Sequence, residues 1–290
     1  MGAVRGVTKV WRSSPTIEGA GVKLKRAFGY QQMPELDPFL LLDDFHSSDE
    51  RDYIAGFPWH PHRGIETITY MLHGRVEHGD SMGNGGIIQT NEVQWMTAGS
   101  GIIHQEMPKG PGLLWGFQLW ANLPASHKMM GPRYRDVKAD MIPTATPSEG
   151  VRVKVICGRV GSVEGPVRDI VIDPMYLDVT LDPGAVFSRA VKEEHNAFAY
   201  VVEGLGRFDA HDVGAESVVL LGKGDEVKVE AADLGVRFLL VTGRPLQEPV
   251  AWYGPIVMNT EEELRIALHE YENGTFIKRS KWRSPVPFEC

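Results

Sequence analysis

The chain has only two cysteines, Cys157 and Cys290. One sits in an apolar stretch and the other is the last residue, so no disulfide framework is expected and a reducing compartment is favoured. No apolar run is long enough to cross a bilayer. The opening residues Met1–Val7 lack the apolar stretch of a secretory signal. Arg5-Gly6 stand where a myristoylation signal wants other residues. Lysine and arginine form no run, and the formal net charge is −8, which argues against direct contact with nucleic acid. Strong helical periodicity is nearly absent. Cytoplasmic localisation is expected, or nuclear in a eukaryote, with no membrane partner.

What is present is ordinary globular material. The 290 residues are 42% apolar and 23% charged, enough for one large domain or two moderate ones. The 32 glycines and 19 prolines are spread along the chain. Between them lie short segments rich in Val, Ile, Thr and Phe, such as Ile65–Leu72, Ile87–Met96, Leu114–Leu123, Ala197–Val202 and Val236–Val241. This pattern predicts an all-β sandwich or barrel. The exception follows Thr260-Glu261-Glu262-Glu263, a capping box, after which Leu264, Ala267, Leu268 and Tyr271 recur at helical spacing up to Gly274. An irregular polar stretch at residues 134–150 marks a boundary, giving expected domains 1–136 and 137–290. Tyr200-Val201-Val202-Glu203-Gly204 echoes Tyr70-Met71-Leu72-His73-Gly74, which suggests two similar barrels in tandem with a short C-terminal helix.

The chemistry lies in two short pairs, His60-Pro61-His62 and His104-Gln105-Glu106. A strand points alternate side chains to one face. Each pair therefore shares a face, and two such strands would gather three imidazoles and one carboxylate. That donor set suits a divalent first-row metal, with iron(II) the natural occupant and manganese, nickel, copper or zinc admissible. A single buried histidine is ordinarily a hydrogen-bonded core residue; two spaced pairs beside glycines are harder to explain that way. Glu66 has the parity of His60 and His62 and rivals Glu106, unless a bulge at Gly64 shifts it. Gln94 and Gln118 lie among apolar neighbours and need partners, which a cavity would supply. His78 and Asp80 follow a turn and read as surface residues. In the second half His195 and His211 stand apart with no His-x-His, so no metal is expected there. Trp59, Trp95, Trp115 and Trp120 are mostly core, with some available to line an aromatic pocket.

Leu36–Phe45, Pro61–Thr67, Gln94–Pro108, Gln118–Leu123 and Met258–Thr260 resemble the signatures of the pirin family of cupins, over nearly the whole chain. Glu66 fits the glutamate of the general cupin motif, while Gly99 stands where that motif has proline, a departure that pirins share. The resemblance implies a bicupin: two tandem cupin barrels, iron in the first held by His60, His62, His104 and Glu106, and a degenerate second barrel. It implies two kinds of function. One is a quercetin 2,3-dioxygenase-like enzyme, with a flavonol or similar small aromatic substrate bound through its 3-hydroxyl and Glu106 taking the hydroxyl proton. The other is a metal- or redox-sensing regulator that binds a protein partner. A monomer is expected in either case.

Overall fold

The computed structural model describes residues 2–278; Cys290 lies outside them. The first half is built of β1 (Val7–Arg12), β2 (Ser14–Glu18), β3 (Val22–Phe28), β4 (Phe39–Ser47), β5 (Phe57–His62), β6 (Ile65–His73), β7 (Arg75–Asp80), β8 (Gly85–Gln89), β9 (Val93–Thr97), β10 (Ile102–Pro108), β11 (Leu114–Asn122) and β12 (Arg133–Val137). A seven-stranded sheet runs β12-β9-β6-β11-β4-β3-β2, and a four-stranded sheet runs β5-β10-β7-β8. These are open sheets where closed barrels were expected. Gly64 and Gly74 mark the crossings, since β5 and β7 lie in one sheet and β6 in the other. Both glycines adopt left-handed backbone, at φ of 78° and 82°, which costs glycine little and other residues much. At Gly64 a Cβ would also come within 1.9 Å of the Val257 carbonyl oxygen.

The second half forms a nine-stranded antiparallel sheet in which Asn196–Phe208 and Glu226–Gly243 are the long central strands. Its inner face is filled by aliphatic and aromatic side chains, including Val153, Leu177, Phe187, Phe208 and Phe238. The rings of Phe187 and Phe208 meet Phe238 edge-on, at centroid separations of 5.8 and 5.5 Å.

The compact units interleave along the chain instead of dividing once near residue 136. One contains the residues through Ser14, Ala27–Leu40 and Asp140–Leu246; the other contains Pro15–Arg26, Leu41–Ala139 and the residues from Gln247 on. Backbone pairing explains the first exchange: β1 adds to Ser217–Leu221, with Val10 opposite Val219. Packing explains the second. The helix Glu261–Glu272 begins on the expected capping box, with Thr260 Oγ1 accepting from Glu263 N and Glu263 Oε2 accepting from Thr260 N. Its Leu264 and Ala267 are buried with Ile103, Ile256, Met258 and Phe276. Arg63, itself buried, pairs with Glu270 at 2.7 Å and donates to the Phe276 carbonyl. Among the described residues, no helix is long and apolar enough to cross a membrane.

Candidate metal centre

The site grows from the pairing of β5 with β10. His104 sits opposite His60, and Ile102 opposite His62. Alternation then turns the imidazoles of His60, His62 and His104 the same way. Their ligand atoms all lie within 4.8 Å of one another, and His60 Nε2 is 3.1 Å from His62 Nε2. Backbone carbonyls fix two of the rings from behind: Pro58 O faces His60 Nδ1 at 2.8 Å and Pro255 O faces His62 Nδ1 at 3.1 Å. Both Nε2 atoms are thereby left turned inward as lone-pair donors, the arrangement that outer hydrogen bonds impose on ligating histidines.

His104 is fully buried, and neither of its ring nitrogens has a hydrogen-bond partner. A buried imidazole with both nitrogens orphaned costs free energy, about 1–3 kcal/mol for each unsatisfied group. A cation at the focus of the three rings removes that cost. Burial pushes His60, His62 and His104 below the ordinary histidine range, with neighbouring imidazoles adding to the effect. Each is therefore held neutral, the form that ligates. The donor set fits a divalent transition ion.

Glu106 stands two residues on from His104 along β10, past a bulge that sets it opposite Phe57. It is buried and lines the same cavity, but it is not one of the three mutually close ligand groups. Its oxygens are engaged: Thr69 Oγ1 donates to Oε1 at 2.8 Å, and Gln118 Nε2 donates to Oε2 at 2.9 Å. Trp120 Nε1 in turn donates to Gln118 Oε1 at 3.3 Å. Gln118 is thus a pocket residue with a defined task.

The other candidates lie elsewhere. Glu66 is buried away from the triad, accepting from Thr97 Oγ1 at 2.6 Å and Trp95 Nε1 at 3.1 Å. The left-handed turn at Gly64 is the reason, because it breaks the parity that would have aligned Glu66 with His62. On β6 the two faces alternate, and Thr69, which reaches Glu106, lies on the opposite one. Gln94 is buried and does not line the cavity. Trp59 and Trp120 do line it, whereas Trp95 bonds Glu66 and Trp115 donates to Asp44 and stacks on His46 at 4.0 Å. His78 and Asp80 are not surface residues: both are buried, and they bond each other at 3.2 Å. The register of β7 against β10 accounts for this, since it sets His78 opposite Glu106 and Asp80 opposite His104.

His60, His62 and Glu106 line a cavity of about 610 Å³, within the span of roughly 300–1,000 Å³ usual for small-molecule sites. Trp59, Trp120 and Trp252 give it aromatic walls, with the Trp120 and Trp252 rings 6.0 Å apart. Glu18, Arg26 and Asp43 supply charge, the Arg26 guanidinium gripping Asp43 through two bonds of 2.9 and 2.8 Å. Trp252, Gly254 and Pro255 come from far along the chain. No local spacing announces them; tertiary packing alone brings them here.

The pirin family model matches residues 21–121, and the model of the pirin C-terminal cupin domain matches residues 176–277. The chain belongs to the pirin family. A pirin-like protein of Caulobacter vibrioides is 47% identical over 94% of this chain and 99% of its own length. Human pirin is 38% identical, covering 99% of each chain. The crystal structure of a quercetin 2,3-dioxygenase from Acinetobacter baumannii superposes with a TM-score of 0.87 at 33% identity, over 94% of this chain and 99% of that one. Both halves of the chain are thus cupin domains of the pirin type.

Proposed function

We propose that this pirin is a metal-dependent dioxygenase acting on an aromatic enediol of the flavonol kind, with His60, His62 and His104 as metal ligands and Glu106 as the fourth ligand or the proton acceptor. The observation that carries the reading is a cluster of three neutral imidazoles, two of which, His60 and His62, face a tryptophan-walled cavity of small-molecule size. A structural metal site is ordinarily closed by protein ligands, whereas a catalytic one keeps room for substrate. The likeness to the Acinetobacter quercetin 2,3-dioxygenase supports the substrate class.

His60, His62 and His104 would hold a divalent ion, iron(II) by preference, which would supply Lewis acidity toward a substrate hydroxyl. The rest falls to side chains. Trp59, Trp120 and Trp252 clasp the aromatic rings and exclude water. Glu106 accepts the substrate hydroxyl proton at its carboxylate, which Thr69 and Gln118 hold in one orientation. Atoms balance in the overall conversion of flavonol and dioxygen to the ring-opened ester and carbon monoxide.

The test is anaerobic loading with iron(II), exposure to quercetin and air, and detection of carbon monoxide. Turnover with one carbon monoxide per quercetin supports the reading, and Glu106→Gln should then lower the rate about 10²–10⁴-fold, the usual worth of a positioned proton acceptor. A fully loaded protein that leaves quercetin intact would favour the metal-sensing, partner-binding alternative.

A further inference from the structure

The three imidazoles differ in how they are held. His60 and His62 each have a backbone carbonyl on the outer nitrogen, at 2.8 and 3.1 Å. His104 has none, although it is the most deeply buried of the trio. A ligating imidazole gives one nitrogen to the metal and carries its proton on the other, so His104 needs an acceptor behind it.

One orphaned acceptor lies close by. The His78 ring is 5.4 Å from the His104 ring, centroid to centroid, inclined at 57°. Its Nε2 bonds Asp80 Oδ2 at 3.2 Å. A carboxylate only accepts, so in its neutral form His78 carries its proton on Nε2 and leaves Nδ1 as a bare lone pair. That Nδ1 is buried without a partner. Asp80 is anchored in turn. Its Oδ1 accepts from the backbone of Met82 at 2.9 Å and of Asn84 at 3.0 Å, and its Oδ2 from Asn84 Nδ2 at 2.9 Å. Tyr134 stacks on His78 at 5.0 Å.

We propose that His78 and Asp80 are the positioning residues of His104: when the site is loaded, the His104 outer N–H donates to His78 Nδ1, directly after a small ring rotation or through one water, and His78 Nε2–H donates to Asp80. The chain carboxylate–imidazole–imidazole–metal replaces the carbonyl that His60 and His62 enjoy. It fixes the tautomer of His104 and, by making that ring more basic, strengthens its bond to the cation. No proton leaves the chain and no group changes charge. The inference rests on His104 being a ligand, as in the function proposed above.

The test is cobalt(II) binding, read by chelator competition and by the visible ligand-field spectrum, on wild type, His78→Phe, His78→Gln and Asp80→Asn. Metal-free unfolding midpoints are measured beside it, so that loss of fold is seen separately. Phe removes the acceptor, and the variant should bind cobalt about 10–100-fold more weakly with a shifted spectrum, as should Asp80→Asn. Gln offers both an acceptor and a donor, and should restore affinity to within about threefold of wild type. Folded His78→Phe and Asp80→Asn proteins with wild-type affinity and spectrum would overturn this inference and leave the metal site standing. A wild type that binds no cobalt would overturn the site itself.

Discussion

The two cupin units solve the same packing problem with opposite chemistry. In the second-half unit the inner face is Val, Leu and Phe, closed around the Phe187–Phe238–Phe208 cluster. In the first-half unit the interior carries His60, His62, His78, His104, Glu106 and Gln118, of which His78 and His104 have unsatisfied atoms. One domain family thus supports either a hydrophobic core or a cation site with a cavity. Function lives in the side chains grafted onto it. The contrast also predicts where stability resides: the apolar unit carries its own, and the polar unit gives some up until a ligand arrives.

The sharpest way to break that contrast is to make the polar unit resemble the other. His104→Leu removes both orphaned nitrogens together with a ligand. Equilibrium dialysis with iron(II) should show metal binding lost beyond the roughly 10–100-fold that outer hydrogen-bond changes cost. The metal-free variant should unfold at the same or higher denaturant, since an apolar group of similar size replaces an unsatisfied polar one. The converse change, Phe238→Ala, empties the apolar core. It should cost about 3–5 kcal/mol by chemical denaturation and leave the metal stoichiometry of the folded fraction unchanged.

Lys128 gives a smaller effect inside the polar unit. Its buried ammonium donates to Gly64 O, Asn122 Oδ1 and Val257 O at 3.0, 2.7 and 2.9 Å, although burial pushes it down to about 7. Three acceptors use all three protons of an ammonium, which favours its charged form there. Lys128→Met leaves the acceptors bare and should lower stability by about 1–3 kcal/mol in a denaturant titration.

Acid should act on the polar unit through its buried imidazoles. His62 and His104 are held well below 6.5 by burial. Below pH 6.5 the unfolded chain therefore takes up protons that the folded chain refuses, and the metal-free protein loses stability as pH falls toward the folded values. The slope is about 1.4 kcal/mol per pH unit for each imidazole kept neutral. Unfolding midpoints between pH 7 and 5 should show it, and His104→Leu should flatten it by one group.

Much of this was legible in the sequence where strand alternation governs. His60, His62 and His104 needed only a period of two and an antiparallel pairing. The echo between Tyr70–Gly74 and Tyr200–Gly204 is structural: both tyrosines are fully buried on central strands, and Gly74 and Gly204 both turn left-handed, at φ of 82° and 77°. The capping box at Thr260 needed only local hydrogen bonds. Reasoning by parity failed at Glu66 because Gly64 interrupts it. It failed at His78 and Asp80 because nothing near them in sequence shows that β10 lies alongside. Pro255 and Trp252 reach the site only through the packing of the C-terminal segment.

The most direct measurement is anomalous diffraction at the iron absorption edge from crystals grown anaerobically with iron(II). The account predicts a single peak bonded to ring nitrogens of His60, His62 and His104, open to the tryptophan-lined cavity. A peak elsewhere, or density showing those three rings turned apart around no ion, would contradict it.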